Sequence, residues 1–298
     1  MGAAAHDGGR ISDFRRQSIG LYLNLGAVDG EWSSDYGNFV DGTISARVQT
    51  AFDADGNGFA AWTATLSGLS DVRALPYDAT SGVWGALATC DEAPGSSANH
   101  AGPPNIALGK KGEAMTLWVA NDDTSRSLKS SLLAHGDEWE EAVTVTADLY
   151  PEPLFDPPAL AFEGETFVSA WTAKSDKHYV AFTARYDSEH GEWSEPEEHA
   201  VPQGDSAAFM PRLGADSHHN LMLVWAVAGQ PLRLAYQRYR AETSEWTKAA
   251  IIAGATFSDA TLETDGKLPF SFSANGLGGL MFRTTSGSTT TVKLAQFF

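Results

Sequence analysis

One cysteine, Cys90, stands in 298 residues. That excludes an intrachain disulfide, so stability has to come from a buried core. Basic side chains are scarce as well: 20 Lys and Arg face 38 Asp and Glu, a formal net charge of −18. Such a surface repels phosphate backbones and anionic bilayers, so nucleic acid is not expected as a partner. No apolar run is long enough for a membrane-spanning helix, and no membrane span is expected. The opening MGAAAHDGGR lacks the charged-then-apolar layout of a leader peptide. A secreted or cell-surface protein read without its leader is the expectation, with a cytoplasmic one left open. There is no Gly-rich phosphate loop after a strand, no nucleophile elbow, and no Cys or His cluster at ligand spacing. His218 and His219 are adjacent on a short turn, where their side chains diverge. No cofactor and no metal are expected. Helical periodicity is missing throughout.

What the sequence has is tryptophan at fixed intervals. Four stretches align: RVQTAFDADGNGFAAWTA, PPNIALGKKGEAMTLWVA, PPALAFEGETFVSAWTA and MPRLGADSHHNLMLVWAV. Each is a short apolar arm, a polar turn with Gly or Asn, and a second arm ending in Trp. These are Trp62, Trp118, Trp171 and Trp225, spaced by 53 to 56 residues. A second column, Trp84, Trp139, Trp193 and Trp246, follows 21 or 22 residues later, and Trp32 belongs to it. All nine Trps therefore occupy one of two repeat positions. Phe14 and Phe282 take the first-column place at the two ends. The repeats run approximately 1–42, 43–98, 99–153, 154–206, 207–263 and 264–298, the first compressed and the last without its final strand.

Each repeat reads as four short strands with polar turns. Four-stranded units recurring every fifty-odd residues predict an all-β protein, a single β-propeller domain of four-stranded antiparallel blades. Six blades are expected; the alternative is five, with EWSSDYGNF lending a closing strand to the last. Trp fills the wedge between blades, and the alanines beside it let neighbouring sheets approach. Within this scheme AFDADGNGFAAW is a hairpin turn. Its Asp53, Asp55 and Asn57 alternate as in a calcium loop, but the same place in other repeats holds GKKGE, EGET, DSHHN and SANGLG, which lack the oxygen ligands. Asp122 and Asp123 in NDDTSR read as a solvated loop.

The turns YDATSGVW and YDSEHGEW place Asp, Gly and Trp between strands three and four. They resemble the Asp boxes of bacterial sialidase-type propellers, with the Gly-to-Trp spacing one residue shorter than in that family. The resemblance implies the fold; the boxes are structural, and the arginine triad and Tyr-Glu pair of a sialidase find no match in Arg47, Arg126, Arg212 or Arg283.

Loops between strands two and three, and between blades, are the long ones, and they carry aromatics beside carboxylates, a combination suited to sugars. The expected ligand site lies on that face: Arg212, Asn105 and Gln49 at first-strand starts, with Tyr150, Phe155 and Asp156 at the rim. The function expected first is an extracellular or cell-surface binding module for a glycan or a protein partner. The alternatives are a glycoside hydrolase or polysaccharide lyase of sialidase-like architecture, and a structural scaffold.

Overall fold

The computed structural model describes residues 3–5, 10–17, 20–27, 37–39, 43–44, 48–66, 69–90, 100–121, 125–134, 138–147, 149, 158–175, 178–200, 207–229, 231–257, 270–286 and 289–297, the first five segments as backbone only. Among them every regular element is a strand. Among the described residues no helix is long and apolar enough to cross a membrane. The chain divides into two compact units, Met1–Asp148 and Leu149–Phe298, with the border close to the expected end of the third repeat.

The tryptophan period maps onto the backbone residue for residue. The first-column residue is the fifth of the second strand in every repeat: Phe14 in Arg10–Gln17, Trp62 in Gly58–Leu66, Trp118 in Ala114–Asn121, Trp171 in Phe167–Ser175, Trp225 in Leu221–Val227 and Phe282 in Gly278–Ser286. All these strands sit in antiparallel ladders. In the first unit, Ala3–Ala5, Arg10–Gln17, Gly20–Ala27 and Gly37–Phe39 form a four-stranded sheet in that order. Gly37–Phe39, the described end of EWSSDYGNF, pairs with Leu21–Leu23 there. The second and third repeats share one eleven-stranded sheet. They are joined by His100–Ala101, antiparallel to Ala120 and Asn121 and parallel to Ser70.

In the second unit the fourth and fifth repeats each form a five-stranded sheet, and the sixth forms three strands, Phe270–Phe272, Gly278–Ser286 and Thr289–Phe297. The fifth strand is not an addition to the expected four. It is the fourth strand cut in two, as Glu192–Trp193 and Glu197–His199 in one repeat and Glu245–Trp246 and Ala250–Phe257 in the next. Tyr186 faces Trp193, yet Ala181 faces His199, so one extra residue enters between the pieces. The second repeat has the same slip: Tyr77 faces Trp84, and Ala74 faces Ala88. A bulge of this kind bends the outer strand and raises its twist.

The core lies between sheets. Trp62, Trp118, Trp171 and Trp225 are 1, 1, 3 and 0% exposed. Trp118 packs with Val72, Ala74 and Cys90 of the second repeat, and Trp225 with Ala159, Ala161 and Val168 of the fourth. The opposite face of the fifth sheet, with Met222, Val224 and Leu234, packs on Leu280, Phe270 and Phe272 of the sixth. Alanines 60, 61, 170 and 226 are fully buried beside the indoles, where a larger side chain would hold the sheets apart.

Candidate functional site

The short turns are built for structure, and their chemistry is consumed locally. In AFDADGNGFAAW, Asp53 Oδ1 accepts the Asn57 N–H at 2.8 Å and Asp53 Oδ2 accepts the Asn57 side-chain amide at 3.2 Å. Asp216 and Asn220 repeat the arrangement, at 2.9 Å for both the backbone bond and the shorter amide bond. The alternating Asp and Asn residues thus close a hairpin.

The box-like turns are equally local. Asp78 Oδ1 accepts the N–H groups of Thr80 and Ser81, at 2.7 and 3.2 Å, and Asp187 Oδ1 accepts those of Glu189 and His190, at 2.9 and 3.3 Å. Hydrogen bonds from the Ser81 and Thr80 N–H groups hold the Asp78 carboxyl below its ordinary value. For Asp187 the first cause of the same shift is the hydrogen bond to the His190 ring, whose own pKa is raised by it. Gly82 and Gly191 supply φ of 72° and 71°. Tyr77 and Trp84 then meet at 5.1 Å between ring centroids, and Tyr186 and Trp193 at 5.4 Å. These Asp residues cap a turn.

On the opposite side of the strands, the expected ligand residues are placed as follows. Gln49 opens the strand Gln49–Phe52 and Asn105 opens Asn105–Leu108; both are half-buried, and the two strands lie side by side in the first unit. Asn105 Oδ1 accepts the N–H of Ile106 at 2.8 Å. Arg212, also half-buried, belongs to the second unit and is the fifth residue of Ala208–Ala215, not its start as expected, because the strand begins before the bulge at Met210. Its Nη1 donates to the Pro211 carbonyl at 2.7 Å. Tyr150, Phe155 and Asp156 lie outside the described residues.

Arg212 follows an irregularity that the sequence did not announce. Phe209 faces Ala226 and Arg212 faces Val224, so three steps on one strand oppose two on the other. Met210 sits in the extra position with φ 54°. Among the described residues the other non-Gly positions of positive φ, His219 and Ser244, are in turns. Met210 is within a strand, where a bulge re-aims the neighbouring side chains. The Pro at 211, which removes a ladder donor, was the one local signal.

Two buried polar groups also escaped the sequence reading. Glu163, 8% exposed, pairs with Arg185, whose Cζ lies 4.2 Å from the ring centroid of Tyr239 on the next sheet. His199, 2% exposed, contacts Thr183 and Gln237. Burial pushes its pKa down to about 4, against a smaller opposing effect of the Gln237 hydrogen bond. Among the described residues no group of His, Cys, Asp or Glu is arranged to hold a metal ion.

No known family model and no curated relative matches the chain. Solved structures do. The chain is similar to an ulvan lyase bound to a GlcA(1-4)Rha3S unit, with a TM-score of 0.61 and 10% identity over 98% of this chain and 79% of that one. It is similar to an α-L-arabinofuranosidase from Fusarium graminearum in complex with an iminosugar inhibitor, with a TM-score of 0.55 and 12% identity over 85% of this chain and 79% of that one. An α-L-arabinanase from Penicillium chrysogenum complexed with arabinobiose gives a TM-score of 0.53 and 11% identity over 98% and 91%. The sialidase-type resemblance therefore holds at the level of the fold, which is of the propeller type. The expectation of a non-catalytic binding module is corrected by these neighbours: the architecture is carried by a polysaccharide lyase and by glycosidases.

Proposed function

We propose that the chain is a glycan-cleaving enzyme of propeller architecture, a glycoside hydrolase or a polysaccharide lyase. The observation behind this reading is the extent of the likeness, 98% of the chain against both the ulvan lyase and the arabinanase. One architecture hosts many activities, so the assay decides. We place the candidate ligand contacts on the long-loop face: Gln49 and Asn105 at the starts of their strands, Arg212 just past the Met210 bulge, and Tyr150, Phe155 and Asp156 on the loop after the third repeat. Amides at strand starts hydrogen-bond sugar hydroxyls, and aromatic rings stack on their C–H faces. A guanidinium binds a carboxylate or sulfate through two parallel hydrogen bonds, which gives Arg212 the role of holding an anionic sugar substituent. A closed ring of six repeats and a secreted or cell-surface location belong to the same proposal.

The test is incubation of the purified protein with arabinan and with ulvan, reading new reducing ends and new ultraviolet-absorbing unsaturated ends. A hydrolase produces the first alone and a lyase produces both. Folded protein that yields neither, from these or from a panel of plant and algal polysaccharides, sinks the reading.

A further inference from the structure

The sheets of the fourth and fifth repeats meet across a seam that holds a buried imidazole. His199 ends the strand Glu197–His199. Its Nε2 lies 2.8 Å from Thr183 Oγ1 on its own sheet, and its Nδ1 lies 2.9 Å from Gln237 Oε1 on the neighbouring one. Gln237 donates its side-chain amide to the Thr247 carbonyl at 2.8 Å, so its oxygen is the atom turned to the ring. Nδ1 therefore carries the proton and donates to Gln237, while Nε2 accepts from the Thr183 hydroxyl. The ring stands edge-on to Trp246, with centroids 4.7 Å apart, and Trp246 Nε1 donates to Glu197 Oε2 at 3.0 Å. One neutral side chain thus couples strand, neighbouring strand and indole.

The charged groups around the seam are engaged elsewhere or exposed, apart from the half-buried Arg233. On its own strand, Glu197 is on Trp246 and Glu198 accepts from Ser175. From the strand His178–Asp187, Arg185 pairs with Glu163. From Leu232–Arg240, Arg238 lies 3.6 Å from Asp216, Arg233 is half-buried and Arg240 is exposed. Glu245 and Lys248, beside Trp246, are exposed. Both ring nitrogens of His199 are held by neutral groups, so a second proton on the ring places a buried charge with no acid in contact.

We propose that this seam is an acid-sensitive latch, in which protonation of His199 opens the joint between the two sheets. The inference does not depend on the catalytic reading. The sign follows from the depressed pKa: the closed form binds the proton only near pH 4, whereas an opened ring binds it near its ordinary value of about 6.5. Closure is therefore fully supported above about pH 6.5 and weakens as pH falls through the interval down to about 4. Between about pH 7.5 and about pH 5 the opening constant rises about 30-fold.

Amide hydrogen exchange of wild type, His199→Gln and His199→Leu at those two pH values, corrected for intrinsic rates, tests it. The strands Glu197–His199 and Ala250–Phe257 are expected to lose about 30-fold protection at the lower pH in wild type and to show no such dependence in the variants. An equal acid-induced loss in the variants, or none in wild type, overturns the latch. Since either variant can fail to fold, the His199 pKa is also read by nuclear magnetic resonance in the wild-type chain. A value below about 5 supports the proposal and one near about 6.5 overturns it.

Discussion

Asn57 Oδ1 accepts the backbone N–H of Ala79 at 3.0 Å, so a residue of the first turn in its repeat holds the third turn in place. Asn220 does the same for Ala241 at 3.1 Å, while its amide donates to Asp216. The turn that looked like half a calcium loop is a clasp between two hairpins. Asn220→Ala removes the clasp and leaves the Ala241 N–H without it. A loss of about 1–3 kcal/mol is expected in denaturant unfolding, with an unchanged slope. Unchanged stability would show that the clasp is incidental.

Ser244 occupies, at φ 55°, the turn position that Gly82 and Gly191 fill in the other box-like turns. A left-handed conformation is strained for any residue with a Cβ. Ser244→Gly is expected to stabilise the protein by about 1 kcal/mol, and Gly191→Ala to destabilise it by a similar amount. A Cβ at 191 meets only the Tyr186 hydroxyl, at 3.8 Å, so backbone strain and not crowding sets the second value. Thermal unfolding of both variants checks the pair; a destabilising Ser244→Gly contradicts the account.

Trp225, wholly buried against the fourth-repeat sheet, should be among the most costly residues to truncate. Trp225→Ala and Trp171→Ala are each expected to cost about 3–5 kcal/mol. A loss under about 1 kcal/mol would mean that the sheets re-close around the cavity.

Arg212→Ala separates a binding role from a structural one. If the guanidinium holds an anionic sugar group, KM for an acidic glycan should rise about tenfold or more with the melting temperature unchanged. A lower melting temperature with unaltered kinetics assigns Arg212 to the fold instead. Activity seen only on neutral glycans, indifferent to this change, removes it from the site.

The tryptophan columns made the repeat, the strand order and the register readable because they are set by volume: an indole every fifty-odd residues has to fall at the same depth of the same strand. Where the sequence went silent, the determinants are long-range. The extra residue at Met210 appears only when Phe209 and Arg212 are matched to Ala226 and Val224. His199 in EEHA looks solvated by its glutamates; its burial comes from a sheet whose contacting residues, Gln237 and Trp246, lie 38 and 47 positions further on. The split of the fourth strand is likewise a matter of pairing, invisible in its own letters. The rim residues Tyr150, Phe155 and Asp156 were nominated by loop length and composition, which name a face and not a geometry.

His100 and Ala101 bear on how the protein comes apart. By pairing with both neighbours at once, they turn two repeats into a single hydrogen-bonded sheet. Thr63 Oγ1 donates to the Gly102 carbonyl at 2.7 Å, and the Gly102 N–H to Val119 at 2.8 Å, which extends the bond line past the strap. Repeat arrays ordinarily melt unit by unit, each interface contributing separately. Here the second and third repeats are tied by backbone hydrogen bonds as well as by side chains, so they are expected to unfold as one block. The fourth and fifth, held among the described residues by packing and by side-chain contacts such as His199 to Gln237 and Trp246 to Glu197, are expected to open more separately.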